Sequence, residues 1–210
     1  MAQLIVTTRQ SGEDAALRAM FCARKQVFID LLKWNLPALD GRYELDQFDT
    51  ARARYLILFD PDGKHLGSAR LLETSDEHIL GSLYPHLCAD GPPRGPGTLE
   101  ITRFCLDRRL SARERREVRN QLVTAIVEHA LETGVMRFTG VAEMVWLQQI
   151  LSFGWDCKPL GLPCLDSGRL IGALVIQITK DTPQRLATAG IWSPVATVDS
   201  SNRFATGSRS

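Results

Sequence analysis

What the sequence lacks narrows the possibilities first. No apolar run in its 210 residues approaches the roughly 18 that a membrane-spanning helix needs, so no membrane insertion is expected. The N-terminus, MAQLIVTTRQSGED, has no charged start followed by a long apolar stretch and a small-residue cleavage site. It therefore reads as no secretory signal, and a cytoplasmic protein is expected. Charge of one sign is missing too. Lys plus Arg number 25 and Asp plus Glu 24, leaving +1, so no global field exists to grip nucleic acid. Five cysteines (Cys22, Cys88, Cys105, Cys157, Cys164) are odd in number, scattered and free of any CxxC pair. That argues for reduced thiols and against a disulfide framework or zinc site. His65, His78, His86 and His129 show no ligand spacing, and no metal is expected. GxSxG and HExxH are absent, and Gly95 and Gly97 lead into a strand pattern where a GxGxxG turn would need a helix.

What is present is ordinary globular composition, 44% hydrophobic and 23% charged, enough for one core. Leu4 to Thr8 reads as a strand. A helical repeat runs from about Glu13 to Lys33 behind a Ser11 cap, with Leu17, Met20, Phe21, Val27, Phe28 and Leu31 on its apolar stripe. A polar loop spans 35–50. Residues 55–72 read as a hairpin around Asp60-Pro61-Asp62-Gly63. Leu99 to Cys105 is a strand. Ser111 stands three residues before Glu114 as a capping box for a helix to Thr133, ended by Gly134. A strand at 135–141, a helix at 143–153, and strands at 155–160 and 170–179 follow. Helices between strands plus a hairpin predict an α/β fold with a mixed sheet. Residues 1–183 are read as the folded domain and 184–210, small and polar, as a flexible tail.

Several residues break these patterns. Arg24 falls within the apolar stripe, where a guanidinium needs a partner or must snorkel outward. Trp34 precedes an acidic loop, Glu44, Asp46 and Asp49. Such a loop either faces water or, beside aromatic rings, holds an organic cation. Arg70 interrupts GSARLL, and Glu100 and Arg103 interrupt LEITRFC. Alternation puts Glu100 and Arg103 on opposite faces, so a shared site requires a bulge near Thr102; the other reading is a cross-strand ion pair.

Met20, Arg24, Val27-Phe28, Leu32, Trp34, Glu44-x-Asp46-x-x-Asp49, Tyr55, Gly67, Arg70-Leu71, Thr74 and Glu100-Ile101-Thr102-Arg103-Phe104 occur in one order and spacing. In this the chain resembles the LuxI-type acyl-homoserine-lactone synthases, the autoinducer synthases of quorum sensing, over about residues 4–180. The resemblance implies a fold like that of the GNAT acetyltransferases, a twisted mixed sheet with helices on both faces (an α/β/α sandwich). It implies acylation of S-adenosylmethionine by an acyl thioester, then lactonisation with release of methylthioadenosine. S-adenosylmethionine is a substrate, and no cofactor is implied.

Carried over position by position, the family's functional residues are Arg24, Phe28, Trp34, Asp46, Asp49, Arg70, Glu100 and Arg103. Phe28, Trp34, Asp46 and Asp49 would face the sulfonium or adenine, and the fork of Arg70 or Arg24 the carboxylate. Glu100 is the expected base, with Arg103 beside it. Backbone N–H groups near Phe104 would hold the oxyanion. Expected acyl-pocket residues are Leu122, Ile126, Gly140, Met144, Trp146, Leu147 and Ile150, and a medium to long chain is anticipated. Gly140, lacking a hydroxyl, points to an unsubstituted or 3-hydroxylated chain, unless Thr139 takes its place.

The donor is acyl-carrier protein or acyl-coenzyme A. WLQQILSFGW carries no basic residue, whereas 103–119 has seven arginines against three acids. A GNAT-type N-acyltransferase and a silent binding module on the same fold are the rival readings.

Overall fold

The computed structural model describes residues 2–9 and 14–196. The expected Ser11 cap and Glu13 start lie outside them. In chain order the elements are β1 (Gln3–Thr8), α1 (Asp14–Arg24) continued by a π-helix (Lys25–Leu31), β2 (Ala38–Leu39), β3 (Tyr43–Glu44), β4 (Arg54–Phe59), β5 (His65–Glu73) and α2 (Ile79–Ser82). Then come β6 (Thr98–Leu106), α3 (Ala112–Thr133), β7 (Arg137–Glu143), α4 (Met144–Leu151), β8 (Asp156–Pro159), β9 (Cys164–Asp166), β10 (Arg169–Gln177) and α5 (Thr182–Thr188).

The main sheet runs β1-β4-β5-β6-β7-β10-β8, with β9 also on β10. Every pairing in it is antiparallel except β6 with β7. Alternation along β4 sorts the core to two faces. Leu56 and Leu58 join the cluster under α3, while Tyr55, Ile57 and Phe59 join Leu17, Met20 and Phe21 of α1. The capping box is formed as expected: Ser111 Oγ accepts from the Glu114 N–H, and Gly134 closes α3 at φ +74°.

Two expectations change. The first helix does not continue as one α-helix to Lys33. After Arg24 its turns widen, the Leu32 N–H bonding back five residues to the Val27 carbonyl at 2.9 Å, and Lys33 ends it at φ +58°. Such widened turns are frequent at functional sites. Nor are residues 184–196 a free tail. Leu186 is fully buried, Ile191 is 7% exposed, and both join the core under α3. The Ser193 N–H donates to Thr124 Oγ1 at 2.8 Å, and Ala196 accepts from the Leu4 N–H. Individual apolar residues spaced through a polar segment dock it, a pattern that composition averages away. The rest of the expected tail lies outside the described residues.

Candidate active site

The sheet splits between β6 and β7. These strands are registered only at Thr98–Arg137, Leu99–Phe138 and Glu100–Thr139. Beyond Glu100, β6 follows β5 and β7 follows β10, leaving a cleft of about 1140 Å³ between them. The required bulge is there. Ser68 pairs with Cys105 and Arg70 with Thr102, so Ala69 faces both Arg103 and Phe104. Arg103 takes φ +50°, a conformation that costs a non-glycine residue energy and persists only where its surroundings impose it. The extra residue turns Arg103 to the same cleft as Glu100.

Behind one wall lies a buried ion network. Arg24 donates through Nη1 and Nη2 to the two Asp49 oxygens at 2.8 and 2.9 Å, and through Nε to Glu44. Asp49 also accepts from the Tyr55 hydroxyl and the Asp46 N–H, each at 2.9 Å. Arg70 grips Asp46 at 2.6 and 3.0 Å and donates through Nε to Thr102 Oγ1. Arg103 Nη2 reaches Asp46 at 2.7 Å, and its Nε reaches Glu44 at 3.2 Å. Three guanidinium groups thus face three carboxylates. Burial works against the Asp49 charge, but the Arg24 bonds and the Arg24 and Arg70 charges hold its carboxyl well below the usual carboxylate range.

This divides the expected site residues. Phe28, Trp34, Asp46, Glu100, Arg103 and Phe104 line the cleft; Arg24, Asp49 and Arg70 do not. The forks of Arg24 and Arg70 are spent on Asp49 and Asp46, so neither is free for a substrate carboxylate. The acidic loop is no solvated run either: Glu44 and Asp49 are buried. From the sequence Glu44 stood as one acid among several, and Tyr55 and Thr102 stood in the family's pattern with no role in the ion network assigned to them. The unpaired Arg24 in an apolar stripe was the signal that buried acids must exist, though not which ones.

Glu100 is different. Its Oε1 accepts from the Leu80 N–H at 2.9 Å, while Oε2 is buried with no partner. Burial pushes this carboxyl up to about 7, against the opposing effects of the Leu80 and Ile79 N–H groups and the Arg70 and Arg103 charges. A Ser–His contact also exists, His65 Nε2 to Ser68 Oγ at 3.0 Å, but both residues are buried and neither lines the cleft.

A small apolar cavity of about 50 Å³ opens off the cleft and shares Phe104, Val141, Ala142 and Trp146 with it. Of the expected acyl-pocket residues, Ile126, Gly140, Trp146 and Ile150 line it. Leu122, Met144 and Leu147 do not; Leu122 and Leu147 are sealed in the core under α3. Thr139 lines the same cavity as Gly140, and its hydroxyl is buried without a partner. No group of three or more His, Cys, Asp or Glu among the described residues is arranged to hold a metal.

The sequence profile of the autoinducer synthases matches residues 9–186. The chain belongs to the autoinducer synthase family. As an autoinducer synthase it is an acyltransferase, an acyl-homoserine-lactone synthase. The acyl-homoserine-lactone synthase of Ralstonia nicotianae (strain ATCC BAA-1114 / GMI1000) is 32% identical over 183 residues, spanning 84% of this chain and 88% of that protein. The solved structure of a CoA-dependent acyl-homoserine lactone synthase, BjaI, with SAM and isopentyl-CoA superposes with a TM-score of 0.82 at 26% identity, covering 94% of each chain. A protein from Lactobacillus plantarum described as an N-acetyltransferase has a TM-score of 0.55 at 17% identity, covering 85% of this chain and 99% of that one. That likeness is of fold alone, and it places this autoinducer synthase on the acetyltransferase-like α/β architecture.

Proposed function

We propose that this autoinducer synthase acylates the amine of S-adenosylmethionine in the cleft between β6 and β7, with Glu100 as the base. The observation that carries the reading is the half-satisfied Glu100 carboxyl at the point where the sheet splits. An α-ammonium group loses its proton at about 8, so a carboxylate poised near 7 is a matched acceptor. The freed amine attacks the thioester carbonyl carbon. The carbon–sulfur bond breaks, the thiol leaves, and an amide forms. Phe104 and its neighbours at the bulge supply N–H groups for the passing oxyanion. The substrate carboxylate then displaces the sulfonium from the γ-carbon. The ring closes and neutral methylthioadenosine departs, a step that needs geometry and no further proton transfer.

Phe28, Trp34 and Asp46 form the wall for the sulfonium nucleoside. With the forks of Arg24 and Arg70 spent, Arg103 faces the substrate carboxylate through Nη1, its Nε and Nη2 being bonded to Glu44 and Asp46. Arg24, Glu44, Asp49 and Arg70 hold Asp46 and Arg103 in place from behind.

The acyl chain enters the cavity beside Thr139 and Gly140. Its size, about 50 Å³, supports a short or branched chain at this end, while a medium to long one would have to extend into the adjoining cleft. The Thr139 hydroxyl is a free donor there, so Gly140 gives no ground for expecting an unsubstituted 3-position.

Arg115, Arg116 and Arg119 line the outer cleft, a cationic lip for the phosphate shared by acyl-carrier protein and coenzyme A. Two observations favour coenzyme A: α4 carries no basic residue to dock an acidic carrier, and BjaI is a CoA-dependent enzyme. Incubation with S-adenosylmethionine and mixed acyl-coenzyme A and acyl-carrier thioesters, read by mass spectrometry, tests the whole reading. An N-acyl-homoserine lactone and methylthioadenosine in equal amounts are expected. Acylation of S-adenosylmethionine without ring closure, or no reaction, contradicts it.

A further inference from the structure

Ring contacts at the cleft mouth form one chain from strand to strand. The Arg103 guanidinium carbon lies 5.6 Å from the Phe28 ring centroid. Phe28 stacks on Trp34 at 4.9 Å and 28°. The Arg169 guanidinium carbon lies 5.8 Å from the Trp34 ring. The ends of this chain sit on opposite halves of the split sheet, Arg103 at the β6 bulge and Arg169 at the first residue of β10.

The two ends are held differently. Arg103 is pinned by Glu44 and Asp46, and its side chain is 9% exposed. Arg169 is 33% exposed and makes two further contacts. Its Nη2 donates to the Leu32 carbonyl at 2.7 Å, and its Nε lies 3.1 Å from Glu143 Oε1 at the end of β7. Leu32 caps the π-helix just before the left-handed Lys33. The Trp34 indole N–H is buried with no partner, and its main chain bonds only locally: its N–H donates to the Phe28 carbonyl and its carbonyl accepts from the Leu36 N–H. Across the cleft, β6 and β7 are joined by the three register pairs at its closed end.

We propose that Arg169 is a positioning residue that ties the Trp34 loop to the β7–β10 half and thereby sets the affinity for S-adenosylmethionine. This rests on the reading above that the Phe28–Trp34 wall receives that substrate. A planar guanidinium serves a carbonyl, a carboxylate and a ring face at once; a lysine ammonium has neither the plane nor the fork to do so. Arg169 lines the cleft from β10, on the opposite half of the split sheet from Glu100 on β6, so its effect is on binding and leaves the chemical step alone.

The test uses the full chain with Arg169→Gln, Arg169→Lys and Glu143→Gln. In Arg169→Gln, KM for S-adenosylmethionine should rise about tenfold, the loss of one charge-assisted hydrogen bond at a partly exposed site. KM for the acyl donor and kcat should stay within about twofold. Arg169→Lys should recover part of the loss, and Glu143→Gln should show a smaller one. In the free protein, hydrogen exchange at residues 32–36 should quicken in Arg169→Gln and stay unchanged in β6 and β7. Unchanged KM and unchanged exchange would overturn the proposal. So would a lower KM, which would mean that Arg169 competes with substrate for Trp34, or equal rises in both KM values with a lower melting temperature, which would mean a general loss of structure. If the wild-type chain makes no lactone from S-adenosylmethionine, the functional reading fails, while exchange in the free protein still tests the tether.

Discussion

Asp49 and Glu100 are both sealed from solvent, 3% and 0% exposed, yet their surroundings differ completely. Asp49 receives two nitrogens of Arg24, the Tyr55 hydroxyl and the Asp46 N–H. Glu100 accepts the Leu80 N–H on Oε1, with the Ile79 N–H also acting on the carboxyl, and has no hydrogen-bond partner on Oε2. Burial alone penalises either charge; only Asp49 is compensated. The saturated carboxylate is fixed as an ion and has no face for a substrate. The half-satisfied one is poised to exchange a proton. Burial of an acid therefore says little about its role until its partners are counted.

The opposite shifts give opposite pH dependences. Asp49 is held below the ordinary range, so it contributes stability that is fully present above that range and is lost as pH falls from there down through the lowered value of the folded chain. Glu100 is raised from 4.5 to about 7, so between those values the folded chain keeps a proton that the unfolded chain has released. Stability therefore falls as pH rises through that window.

The largest expected effect separates the two acids by activity. Glu100→Gln should fold and bind S-adenosylmethionine yet lose turnover by roughly two to four decades, the usual worth of a positioned acid–base group. Steady-state rates and calorimetry decide it; near-normal turnover would remove Glu100 from the base role. In thermal melts the same variant should match wild type below pH 4.5 and exceed it above pH 7, by at most on the order of 3 kcal/mol.

Asp49→Asn should act on folding instead. Leaving Arg24 and Arg70 short of a buried anion should destabilise by roughly 3–5 kcal/mol in urea melts. A stable Asp49→Asn with selectively weakened S-adenosylmethionine binding would mean that Asp49 meets the ligand after all.

Truncation after Pro183 tests a third region that composition alone misjudges. Removing buried Leu186 and Ile191 should cost about 1.5–3 kcal/mol for each side chain, seen as a lower denaturation midpoint. The smallest effect concerns the acyl cavity. Trp146→Ala should shift preference toward longer donors by only several-fold per carbon in competition assays, and Thr139→Val should remove any preference for 3-oxo chains.

Much of this was legible in the sequence. The hairpin at 55–72, the Ser111 cap and the Gly134 stop each rest on local chemistry. The bulge followed from requiring Glu100 and Arg103 to reach one site, and it appears one residue beyond Thr102. Less local features were hidden. Which acids pair with Arg24 depends on how the 35–50 loop folds over α1, and no spacing encodes that. The π-helix hides within an ordinary apolar stripe. Leu122 and Leu147 have the same apolar character as Ile126 and Ile150, and only the direction each faces separates core from cavity. Arg169, first residue of the last strand, gave no signal, because its partners Leu32, Trp34 and Glu143 are distant in sequence.

Carbon-detected titration of the side-chain carboxyls in the free protein, with Glu100→Gln used for assignment, tests both halves of the comparison in one experiment. One glutamate resonance should titrate near pH 7 and vanish in Glu100→Gln, while the Asp49 resonance stays that of an ionised carboxylate through the acidic range until the fold is lost. A Glu100 resonance titrating near 4.5, or an Asp49 resonance titrating at an ordinary carboxylate value, would contradict the account.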